Sequence, residues 1–127
     1  MKTIISTPKA PSAIGPYNQA TAFDKLIFTS GQIALDPTTM EIVQGGVKEQ
    51  TFQVMENLKA VLEQAGSSFE NVLKTTCYLS DMDNFVAFNE VYGQYFNAET
   101  APARSTVAVK TLPKNVLVEV DTIAFKN

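Results

Sequence analysis

Residues 116–125, Val-Leu-Val-Glu-Val-Asp-Thr-Ile-Ala-Phe, constrain this chain more than any other stretch. Side chains on a β-strand point alternately to the two faces of its sheet, so the run divides into two sets. Val116, Val118, Val120, Thr122 and Ala124 share one face; Leu117, Glu119, Asp121, Ile123 and Phe125 share the other. Both sets are apolar in part. A sheet containing this strand therefore has to be covered on both sides, and the second set must also accommodate two carboxylates.

The rest of the chain supplies cover for one side. Lys2 to Ile5 reads as a short strand, followed by a loop through Pro8, Pro11, Gly15 and Pro16 that regular structure cannot accommodate. Tyr17 to Phe23 and Leu26 to Ala34 read as a hairpin turning at Asp24-Lys25, and Asp36-Pro37-Thr38-Thr39 as a turn. Val47, Val54, Met55, Leu58, Val61, Leu62 and Ala65 recur at intervals of three and four, which predicts an amphipathic helix stopped by Gly66. Val72 to Ser80 has strand composition, and Asp81 is placed to cap a second helix bearing Phe85, Phe88, Val91, Tyr92, Tyr95 and Phe96, which Pro102 ends. Arg104 to Val109 and Val116 to Phe125 complete the strands. Two helices separated by a strand predict an α+β fold, one domain spanning residues 1–127, with both helices on one face of a single sheet. Leu117, Ile123 and Phe125 would then lie on the bare face, to be covered by self-association or by a third layer made from the N-terminal loop.

With 127 residues the chain buries roughly two thirds of the surface of its unfolded form. Its 10 basic residues are outnumbered by 13 acidic ones and are scattered, which argues against nucleic acid as a partner. No segment approaches the ~18 apolar residues of a membrane span, and the N-terminus meets Pro8 and Pro11 too soon to be a secretory signal. A cytoplasmic protein is expected. The lone cysteine, Cys77, reads as a small buried strand residue and forbids a disulfide within one chain. There is no histidine, and no carboxylate cluster dense enough to replace it as a metal site.

The polar chemistry thus converges on the single arginine, Arg104, whose planar fork can grip a carboxylate through two parallel hydrogen bonds. Alternation places Arg104 with Thr106, and Ser105 with Val107 and Val109. If the valines go under the helices, Arg104 joins Glu119 on the uncovered face. The pair is then either an anion clamp with an adjacent carboxylate or a plain ion pair.

Four runs in register carry a resemblance that spans essentially the whole chain. They are Ala13-Ile14-Gly15-Pro16-Tyr17-Asn18-Gln19-Ala20, Thr29-Ser30-Gly31-Gln32-Ile33, Ala101-Pro102-Ala103-Arg104-Ser105, and Leu112-Pro113 followed by Val118-Glu119-Val120. In these the chain resembles the Rid (reactive intermediate deaminase) family, also called the YjgF family. The resemblance implies a chorismate-mutase-like α+β fold, a homotrimer with its sheets facing inward, and sites in clefts between subunits. It also implies hydrolysis of 2-imino acids to 2-oxo acids and ammonia. Arg104 would bind the substrate carboxylate and Glu119 would direct or deprotonate the attacking water, while Tyr17 and Ser30 line the cleft and Asn89 lies nearby. A protonated imine is already a strong electrophile, so the reaction calls for no cofactor, metal or nucleophilic side chain.

Many members carry cysteine two residues after the arginine; here that position is Thr106. If that position works through its backbone, threonine is tolerated, and if it needs a thiol, activity suffers; the β-branched hydroxyl would also narrow the pocket and favour small substrate side chains. Two other functions are to be weighed: a sensor that holds 2-oxo acids or similar carboxylates without turnover, and nucleic-acid cleavage or translation inhibition, which the acidic balance disfavours.

Overall fold

The computed structural model describes residues 1–127 throughout. Six strands form one sheet: β1 (Thr3–Ile5), β2 (Ala20–Phe23), β3 (Leu26–Thr29), β4 (Val72–Leu79), β5 (Ala103–Ala108) and β6 (Val118–Phe125), in the spatial order β1-β2-β3-β6-β4-β5. All neighbouring strands are antiparallel except β4 and β5. That parallel pair needs a crossover, which helix α2 (Phe85–Tyr92) supplies. Helix α1 (Val47–Gln64) lies between β3 and β4 in sequence. The element order and the two-helix, single-sheet architecture are those expected from the sequence.

Helix α1 buries the predicted stripe: Val54, Met55, Leu58, Val61 and Leu62 are all fully enclosed. Gly66, at φ +82°, adopts the left-handed conformation that ends the helix. Asp81 does cap, but through a short 3₁₀ turn, Met82–Asn84, that leads into α2; its carboxylate accepts from the Asp83 amide. Both helices cover the same face of the sheet, where Val118 and Val120 of β6, Cys77 and Leu79 of β4, and Phe88 of α2 join one core cluster. A second cluster gathers Ile5, Ala20, Ala22, Ile27 and Ala124 beneath the C-terminal half of α1.

The opposite face stays bare. Ile4, Phe23, Leu26 and Phe28 are each more than two-fifths exposed, and Phe28 and Leu26 stand beside Ile123 and Phe125 of β6. The N-terminal loop does not form a third layer over them. It is instead pinned to the rim by Gln19, whose buried amide accepts from Thr7 N (2.7 Å) and donates to the carbonyls of Thr7 (3.0 Å), Ala10 (3.2 Å) and Pro11 (2.8 Å). One side chain thereby satisfies four main-chain groups of a segment that Pro8 and Pro11 bar from a strand ladder.

Candidate functional site

Arg104 lies on β5, the edge strand, with its register partner Thr75 on β4. Thr75 is fully buried beneath α2, and Arg104 points to that same helical side. Its guanidinium is held by three residues of α2. Nη1 donates to Asn89 Oδ1 at 2.6 Å, and the guanidinium carbon sits 4.8 Å from the ring centroid of Tyr92 and 5.4 Å from that of Phe85. Phe85, Asn89 and Tyr92 are spaced by four and three residues, so one helical stripe meets one arginine. Because Arg104 can only donate, Asn89 must turn its oxygen inward, which directs its NH₂ donors outward beside the guanidinium. The result is an oriented group of donors suited to an anion.

Glu119 lies on β6 opposite Tyr78 of β4, on the bare face. Its carboxylate rests against Gly31, where a Cβ would collide with it, so only glycine permits this approach. Burial, and secondarily the charge of Asp121 two residues on, raises its pKa above the usual carboxylate value. Asp121 is likewise raised by burial, opposed by a 3.2 Å bond from the Tyr78 hydroxyl. Glu119 forms part of a cavity of about 440 Å³ whose lining also includes Tyr17, Ser30, Gly31 and Lys114. Tyr17 is half exposed at its mouth. The Ser30 hydroxyl donates to Asn18 O at 2.6 Å, which ties the cavity wall to the loop.

Arg104 and Glu119 do not share a face, contrary to the expectation from the valines of β5. Their partners on β4, Thr75 and Tyr78, are three residues apart, an odd number, so the two side chains leave opposite sides of the sheet. Two strand spacings and three residues of offset put their Cα atoms on the order of 14 Å apart. A plain ion pair between them within one chain is thereby excluded; the chain's salt bridge is Lys48–Glu90, at 2.7 Å on the helical surface. The expectation fails because β5 is an edge strand that the helices cover only in part. Val107 is left 45% exposed on the bare side while Arg104 and Thr106 take the helical side.

Of the sequence candidates, the chain brings Tyr17, Ser30 and Glu119 to one cavity, and Arg104, Asn89 and Thr106 to another surface. Thr106 Oγ1 is buried without a hydrogen-bond partner, two residues beyond Arg104 on the same side of β5. Cys77, its register partner, is fully buried as expected, and burial pushes its thiol up to about 11, which keeps it protonated and unreactive at neutral pH. Phe85, Tyr92 and Gly31 were not singled out as site residues from sequence. Two of them read as members of an apolar helix face, and the third as part of a motif with no role of its own.

The two-layer α+β chain thus presents an oriented arginine on one side of its sheet and a shielded glutamate on the other. Residues 7–126 match the family described as Endoribonuclease L-PSP, and the chain belongs to that family, which is also the YjgF or Rid family. It is 57% identical over 122 residues to a RutC family protein of Synechocystis, covering 95% of this chain and 94% of that one. It is 44% identical over 126 residues to the human 2-iminobutanoate/2-iminopropanoate deaminase, covering 99% of this chain and 91% of the human protein. Among solved structures, Escherichia coli TdcF with bound serine superposes with a TM-score of 0.91 at 42% identity, over 98% of this chain and 99% of that one.

Proposed function

We propose that this protein hydrolyses small 2-imino acids, 2-iminobutanoate and 2-iminopropanoate, to the corresponding 2-oxo acids and ammonia, in sites shared between two copies of the chain. The observation that carries the proposal is the placement of a shielded, proton-accepting carboxylate against Gly31 in an open cavity, together with a pre-oriented guanidinium elsewhere on the same chain. A 2-imino acid is far shorter than the separation of Arg104 and Glu119 within one molecule. Both can touch one substrate only if the arginine of one copy meets the glutamate of another. The bare apolar face around Phe28 and Ile123 supplies a reason for such copies to associate, and a homotrimer with inward sheets accounts for it.

In this reading Arg104 takes the substrate carboxylate in a two-point grip, assisted by the outward amide of Asn89. Tyr17 packs over the substrate, and the β-branched side chain of Thr106, beside Arg104 on the same side of β5, narrows the pocket toward small side chains. Glu119 accepts a proton from water as the water oxygen bonds to the imine carbon. The same carboxyl then gives that proton to the amino nitrogen of the carbinolamine and takes the hydroxyl proton as the C–N bond breaks, so that ammonia departs and the carbonyl forms. A glutamate with a raised pKa suits this two-way transfer better than an ordinary one. The name of the human relative and the serine held by the E. coli structure support an amino-acid-like ligand.

The test is a coupled assay in which a threonine dehydratase generates 2-iminobutanoate and its decay is followed with and without the protein. Accelerated decay that disappears with Arg104→Ala is expected; unaccelerated decay removes the deaminase reading.

The separation of clamp and carboxylate within one chain favours a second reading, a module that binds 2-oxo acids without turnover. Tight 2-oxobutanoate binding with no accelerated imine loss would select it. Ribonuclease chemistry, despite the family description, has less support from a chain that lacks histidine and carries more acidic than basic residues.

A further inference from the structure

The hydroxyls of Thr75 and Tyr92 share a hydrogen bond of 2.8 Å inside the layer between sheet and helices. Thr75 is 0% exposed and Tyr92 6%, and their neighbours are Cys77, Leu79 and Phe88, a core that has no need of polar atoms. Replacing both members of such a pair by apolar groups of the same shape is close to neutral for stability, so the bond finds little reason in folding energy. Its effect is geometric. Thr75 is the register partner of Arg104, and the Tyr92 ring whose hydroxyl it holds is the ring that faces the guanidinium at 4.8 Å. The same ring is flanked by Phe88 at 5.3 Å and Phe96 at 4.9 Å, which limits its tilt.

Resting on the carboxylate-clamp reading above, we infer that Thr75 and Tyr92 are positioning residues for Arg104. By tying α2 to β4 directly beneath the arginine, their bond sets the height of the Phe85-Asn89-Tyr92 stripe and hence the plane in which the guanidinium meets its ligand. Neither residue touches the substrate. A planar fork misoriented by a small rotation loses one of its two parallel bonds to a carboxylate, so the loss falls on binding rather than on proton transfer.

The experiment compares the wild type with Tyr92→Phe, Thr75→Val and the double variant. Three quantities are read: the thermal midpoint, the Kd for 2-oxobutanoate by calorimetry, and KM and kcat in the coupled imine assay. The double variant is expected to keep the wild-type midpoint and kcat while Kd and KM rise roughly three- to thirty-fold, the range of one impaired cation–π or charge-assisted contact. Tyr92→Phe alone, which retains the ring, is expected to show part of the same rise, with a thermal midpoint below that of the double variant because the buried Thr75 hydroxyl loses its partner. Unchanged Kd and KM in the double variant overturn the inference, as does a fall in kcat at constant KM. If the wild type binds 2-oxobutanoate but turns over no imine, the deaminase reading fails while the rise in Kd still tests the positioning pair. If the wild type binds no 2-oxobutanoate, both fall.

Discussion

Arg104 and Glu119 leave opposite faces of one sheet from strands separated by β4. A site that uses both is therefore divided between copies, which can be tested by mixing variants. Arg104→Ala and Glu119→Gln should each be inactive alone. Unfolded together and reassembled, they should recover about a quarter of wild-type turnover, the share of interfaces that combine an intact arginine with an intact glutamate under random closed assembly. Failure to recover activity after confirmed exchange of subunits would place both residues in the same copy's site.

Phe28 is 43% exposed on the bare face, beside Ile123. Phe28→Asp puts a charge where association would bury apolar surface. The expected outcome is a fall in mass to that of one chain by light scattering, loss of imine turnover, and far-ultraviolet circular dichroism like that of the wild type, since Arg104 and Glu119 are themselves untouched.

The pH dependence follows from the direction of the Glu119 shift. As the water-activating base, Glu119 acts when ionised, so kcat/KM should rise with pH along a limb lying above the usual carboxylate range. Asp121→Asn removes the like charge that adds to the effect of burial and should move that limb to lower pH. Stability runs the other way. A carboxyl whose folded pKa is raised contributes stability that is fully present below the unfolded value and lost as pH rises through the folded one. Glu119→Gln should therefore melt at a higher temperature than the wild type at pH 7, while losing activity.

At Gly31 the close approach of the Glu119 carboxylate leaves no space for a methyl group. Gly31→Ala should displace the carboxylate and lower turnover at least tenfold, with 2-oxobutanoate binding at Arg104 reduced less. A Gly31→Ala variant with wild-type turnover would show that the carboxylate is not needed where it rests.

In the core, Leu58 is fully enclosed beneath the sheet. Leu58→Ala should cost about 2–5 kcal/mol in chemical denaturation at constant slope, the range for a buried leucine whose cavity closes only in part.

Much of this was legible from residue order alone. The spacing of Val54, Met55, Leu58, Val61 and Leu62 determined α1 and its buried face, because a helix places residues three and four apart on one side whatever surrounds it. The alternation of β6 determined that Glu119 and Asp121 part from Val118 and Val120, and four short motifs in register pointed to the family. Alternation, however, separates two sets without saying which lies inward. For β6, a central strand, the set free of carboxylates could go only beneath the helices. For β5, at the edge, neither set is strongly apolar and the helices reach it only in part, so the direction of Arg104 was settled by the register of β5 on β4 and by where α2 passes. The grip of Asn89, Phe85 and Tyr92 on Arg104, the pinning of the N-terminal loop by Gln19, and the fit of Glu119 against Gly31 join residues distant in sequence. They depend on three-dimensional distance, which no local pattern of side chains encodes.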